Sequence, residues 1–63
     1  MYFMLYQDSD GRWRWCYNTS NHMTIAISSE SYATKEEALH IIHLVKGCAQ
    51  SASVYDTLTG QWR

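Results

Sequence analysis

The chain has 63 residues, 46% hydrophobic and 17% charged, a balance that fits one small globular domain and excludes a disordered segment or a multidomain assembly. Five Lys and Arg against six Asp and Glu give a net charge of -1, which excludes a polybasic nucleic-acid arm and an acidic nucleic-acid mimic alike. No apolar run approaches the roughly 20 residues of a membrane span and no basic-then-apolar leader is present, so the expected location is the cytoplasm, without membrane contact.

Tyr2 to Gln7 is dense in aromatic and apolar residues and reads as a first strand. Arg12 to Tyr17 alternates cation with indole, so a period of two sends Trp13, Trp15 and Tyr17 to one face and Arg12, Arg14 and Cys16 to the other. Between them, Asp8-Ser9-Asp10-Gly11 fits a type I turn closed by a G1 bulge, with glycine taking the positive φ. That turn sets Asp8 opposite Arg12, Tyr6 opposite Arg14 and Met4 opposite Cys16. On the other face it pairs Gln7 with Trp13, Leu5 with Trp15 and Phe3 with Tyr17. Aromatic and apolar pairs then share the core face, while an Asp8–Arg12 ion pair and a Tyr6–Arg14 cation–π pair share the wet one.

Asn18 to Asn21 is a polar connection into a third strand, Met23 to Ser28. Thr34-Lys35-Glu36-Glu37 is a capping box that opens a helix, whose buried face is Ala38, Ile41, Ile42, Val45 and Ala49, widened by Leu44. Gly47 marks either the helix cap or a weak point in its last turn. Ser53 to Thr57 reads as a short fourth strand and Leu58 to Arg63 as a tail, which makes residues 1–57 the domain and 58–63 a C-terminal appendage. The predicted class is α+β: a β-β-β-α-β unit, an antiparallel sheet with one helix packed on one face.

Tyr6, Asp8, Gly11, Arg14-Trp15, Asn21, Ile25-Ala26, Ser28, Glu30, Tyr32, Lys35, Ala38, Ile42, Val45-Lys46, Val54 and Asp56 together resemble the YegP-like family of small bacterial proteins, a domain of unknown function. The resemblance spans Tyr2 to Asp56. Its most specific parts are the Asp-x-x-Gly turn leading into Arg-Trp, the Asn before the third strand, and the Ser-x-Glu-x-Tyr segment before the capped helix. It implies a β-β-β-α-β unit carried twice in one chain as a pseudo-dimer, or once as a homodimer, and this length holds one copy. His22 stands where the family often has Gly, Ser31 where Gly usually precedes the Tyr, and Cys16 where a basic residue is common. The resemblance brings no catalytic residue.

The remaining constellations point away from chemistry. Cys16 and Cys48 form no C-x-x-C pair and read as reduced, small hydrophobes. Glu36, His40 and His43 share one side of the helix, but a zinc site needs further ligands that only His22 or Cys48 could bring, so no metal or cofactor is expected. Neither a thiol–histidine pair nor paired carboxylates have the orienting groups a nucleophilic or acid–base site requires, and no enzyme activity is expected. The candidate binding face is the outer side of the sheet: Tyr6, Arg12 and Arg14, with Tyr2 and Met4, a mixture of rings and guanidinium groups suited to interfaces. The function this implies is a non-enzymatic interaction module, partnered with its own copy or with another protein or nucleoprotein. Two alternatives use the same residues or the same small size. One is a single-stranded nucleic-acid binder, disfavoured by the near-zero charge; the other is a phage or mobile-element inhibitor of the anti-CRISPR kind that acts by occlusion.

Overall fold

A computed structural model describes all of residues 1–63. Strands β1 (Tyr2–Gln7), β2 (Trp13–Asn18) and β3 (Thr24–Ile27) form an antiparallel meander in the order β1-β2-β3, followed by helix α1 (Lys35–Cys48) and a 3-10 turn at Ala49–Ser51. The α+β class and the β-β-β-α-β order are as predicted, and the chain then adds a further strand. Short strands β4 (Tyr55–Asp56) and β5 (Gln61–Trp62) pair with each other as a separate hairpin. Leu58 to Arg63 is therefore the turn and returning strand of that hairpin and not a tail. The Asp56 carboxylate accepts from Leu58 and Thr59 N–H, Gly60 N–H reaches Asp56 O at 2.8 Å, and Gly60 takes the positive φ of 68° that closes the turn.

The β1–β2 register follows the turn chemistry residue for residue: Phe3 faces Tyr17, Met4 Cys16, Leu5 Trp15, Tyr6 Arg14 and Gln7 Trp13. Asp8 N–H donates to Arg12 O at 2.8 Å, Gly11 N–H to Asp8 O at 3.0 Å, and Gly11 sits at φ 75°. β3 joins β2 through Cys16–Ile27 and Tyr17–Ala26, then shifts register at a bulge between Tyr17 and Asn18. The chain leaves β3, swings out over Ser29 to Ser31 and touches β2 again through a bridge between Trp13 and Tyr32. That return delivers Thr34 to the start of α1. The capping box forms as predicted, with Glu37 N–H donating to Thr34 Oγ1 and Thr34 N–H to Glu37 Oε1, both at 3.2 Å. Gly47 lies inside the last turn of α1, and the cap falls on Ala49.

The core is small because α1 crosses only β1 and β2. Trp15, Ala38 and Ile42 are buried between the two layers, with Phe3 edge-on to Trp15 at 5.5 Å and tilted on Tyr17 at 4.6 Å. Cys16 and Asn18 are also buried although they alternate onto the outer side, which the sequence reads as wet. Both lie in the central strand, with a strand paired on either side. β3 has no helix over it and is exposed along its whole length, and the β4–β5 hairpin packs against neither sheet nor helix. The molecule is accordingly long, 41 × 27 × 21 Å, with a radius of gyration of 13.9 Å where a compact chain of this length has about 11 Å. Its accessible surface of 5041 Å² exceeds the roughly 4,200 Å² of a compact monomer of this mass by about 800 Å².

Candidate functional site

The outer face of the sheet brings together four of the five residues expected there. Met4 and Tyr6 are exposed on β1, Tyr2 is half-buried at its start, and Arg14 lies opposite Tyr6 with its side chain half-buried. The arginines, however, are engaged within the chain. Arg14 Nε is 2.9 Å from Asp8 Oδ2, so the ion pair runs diagonally to Arg14 and not straight across to Arg12. The reason is local: Asp8 Oδ1 is taken by the N–H groups of Asp10 (2.9 Å) and Arg12 (3.1 Å), which close the turn and leave Oδ2 facing along the strand. These contacts hold the Asp8 carboxyl below the usual carboxylate range. The hydrogen bond from Arg14 is the largest cause and the two N–H groups add to it, while partial desolvation opposes them. Arg14 does not stack on Tyr6; the one cation over a ring is Lys35, 5.8 Å from the Trp13 ring centre.

Arg12, the fifth residue, turns away from this face. Its Nε donates to Ser31 Oγ at 2.8 Å and its Nη2 to Ser31 O at 3.1 Å, fastening the loop after β3 to the start of β2. Ser31, which stands where the YegP-like family usually has Gly, keeps a φ outside the left-handed region, whereas His22 adopts the left-handed φ of 66°. On the far side of β2 from Met4, β3 lays out Ile25 and Ile27, 53% and 67% exposed, so the outer face is more apolar than its rings and cations suggest.

Two features lie outside that face. Between the inner side of the sheet and the second half of α1 is a cleft of about 770 Å³, walled by Phe3, Leu5, Trp15, Tyr17, Ile42 and Val45, with Lys46 and Gln50 at the helix side. Detached from it, the β4–β5 hairpin presents Tyr55 against Trp62 at 4.9 Å, with Leu58 92% and Trp62 69% exposed. The sequence signal for the hairpin lies in Asp56 and Gly60, an Asp that opens and a positive-φ Gly that closes the turn as Asp8 and Gly11 do, with one residue more between them. The cleft has no local signal, because it depends on how far the helix covers the sheet.

No three His, Cys, Asp or Glu side chains come together as metal ligands, so Glu36, His40 and His43 do not make a site; Glu36 and His40 line only a shallow recess with Tyr32. Cys16 is buried and Cys48 exposed, both as free thiols. No helix is long and apolar enough to cross a membrane.

Residues 8–56 match a family described as a domain of unknown function, DUF1508. The chain belongs to the DUF1508 family. Among its relatives, UPF0339 protein NMB1088 of Neisseria meningitidis serogroup B is 35% identical over 54 residues, 86% of this chain and 95% of the relative. UPF0339 protein Atu0232 of Agrobacterium fabrum is 37% identical over 57 residues, 90% of each chain. Membership agrees with the YegP-like resemblance, and the matched segment runs from the Asp8 turn to Asp56 in β4.

Proposed function

We propose that this DUF1508 domain is a small non-enzymatic interaction module that works as a homodimer in the cytoplasm. The observation that carries the reading is the incompleteness of the single copy. It has an open aromatic-walled cleft, a detached hairpin bearing Leu58, Tyr55 and Trp62, and about 800 Å² more surface than a compact chain needs. That excess equals what each partner contributes to an interface of standard size. Both surfaces are apolar and both belong to every copy, so a two-fold arrangement in which each hairpin lies over the other copy's cleft covers all four at once. The free edge and exposed isoleucines of β3 stay available to a further protein partner.

Sedimentation equilibrium over a hundredfold dilution series from micromolar concentration tests this. Twice 7.4 kDa is expected, with Leu58→Asp and Trp62→Ala shifting the equilibrium toward single chains while preserving the circular dichroism of the folded sheet and helix. A mass of 7.4 kDa at every concentration refutes the dimer.

A further inference from the structure

Several unusual features meet at one end of the sheet. His22 is the only residue other than glycine in the left-handed region, at φ 66°, where a side chain with a Cβ is strained. Three hydrogen bonds hold its turn: His22 N–H donates to Thr19 O and Thr19 N–H to Met23 O, both at 2.9 Å, and Met23 N–H reaches Thr19 Oγ1 at 3.2 Å. From that turn the imidazole reaches back over β2, placing Nδ1 2.7 Å from the Tyr2 hydroxyl with the two rings edge-on, 5.9 Å between centroids. Tyr2 pairs in register with Asn18, which is only 4% exposed although it ends the central strand, and Asn18 Oδ1 accepts from the Thr24 hydroxyl at 2.7 Å. The contact thus runs from β1 past β2 to the turn entering β3.

We infer that Tyr2 and His22 form a clasp that fastens the start of β1 to the β2–β3 turn and thereby fixes Phe3, the next residue, as a wall of the cleft. β1 is an edge strand, and the end of an edge strand opens readily unless something holds it. Phe3 packs on both Trp15 and Tyr17, so the opening of β1 would disorder the aromatic side of the cleft. A glycine in place of His22 would make the same turn without strain and leave Tyr2 untethered; the imidazole exchanges backbone ease for that tether. On the reading of the cleft as the self-association surface, which this part of the inference rests on, His22 is a positioning residue: it does not line the cleft but sets the order of the strand that does.

Two variants of the full chain, His22→Gly and Tyr2→Phe, test the clasp. His22→Gly removes strain and tether together. The melting temperature is expected to hold or rise, while the β1 amides of Tyr2 and Met4 exchange with solvent about tenfold faster and the dimer Kd rises about fivefold. Tyr2→Phe, which keeps the ring and drops the hydroxyl, moves exchange and Kd in the same direction by less. Unchanged β1 exchange in both variants overturns the clasp. So does a His22→Gly chain whose melting temperature falls in step with its association, since that is the mark of a general structural role. A parent chain that is monomeric at every concentration overturns the dimer alone, and β1 exchange still decides the clasp.

Discussion

Trp15 joins the two layers of the core, and substitutions there separate two contributions that pull in opposite directions. The residue is 7% exposed, edge-on to Phe3, and shares the cleft wall with Leu5 and Ile42, yet its indole Nε1–H is buried with no hydrogen-bond partner. Trp15→Ala gives up the whole side chain at about 3–5 kcal/mol, which is comparable with the roughly 3–9 kcal/mol expected for a domain of this length. That variant should be largely unfolded at room temperature. Trp15→Phe gives up about 1–2 kcal/mol of buried ring. It also removes a buried donor whose missing partner costs about 1–3 kcal/mol. The two terms nearly cancel, so Trp15→Phe should lie within about 1 kcal/mol of the parent. Urea titration followed by far-ultraviolet circular dichroism, at one fixed protein concentration, measures both. A Trp15→Phe variant as unstable as Trp15→Ala would refute the claim that the N–H is a liability. A Trp15→Ala variant melting within a few degrees of the parent would refute the placement of Trp15 in the core.

Asp8 has a folded pKa below its unfolded value near 4, so its contribution is complete above about pH 4 and is lost as the pH falls through the folded value. Asp8→Asn should melt lower than the parent at pH 7 and lose less on acidification, as thermal scans from pH 7 to pH 2 would show. Thr34→Ala removes the hydroxyl that accepts from Glu37 N–H, leaving only the bond from the Thr34 backbone N–H to Glu37 Oε1, and should cost about 1 kcal/mol by urea denaturation. Gly47→Ala should stabilise by about 0.5–1 kcal/mol in the same assay, because the position is helical and an added Cβ meets nothing within 4 Å.

Features that depend on residues close together in the chain are legible in the sequence itself. Strand period and a single Asp-x-x-Gly turn fix the whole β1–β2 register, because a slip of one residue would turn Trp15 and Leu5 outward. The helix start is legible from Thr34 and Glu37 for the same reason: the contacts that make it span three residues. The ion pair takes a different partner from the one straight across, because the turn's own N–H groups claim Asp8 Oδ1 and leave Oδ2 to Arg14. The β4–β5 hairpin escapes a reading by periodicity because two-residue strands carry almost no periodic signal, although Asp56 and Gly60 announce its turn. Of the candidate face, alternation alone places Tyr2, Met4, Tyr6 and Arg14. The separation of Arg12, the exposure of β3 and the open cleft follow from the path of Ser29 to Ser31 and from the limited reach of α1, and no short motif encodes either.

Every strand in this molecule pairs with its neighbour in sequence, and the chain contains no proline. Both facts govern kinetics. Closing short loops costs little chain entropy, and a hairpin forms in roughly 1–10 μs, so the β1–β2 hairpin can serve as a folding nucleus without a long search. No prolyl isomerisation stands in the way of the rest. Folding of one copy is first order and fast, whereas union of two copies is second order and slows with dilution. On the proposed pairing of two copies, encounter becomes rate-limiting at low abundance, and refolding traces are expected to show a concentration-independent fast phase followed by a concentration-dependent slow one.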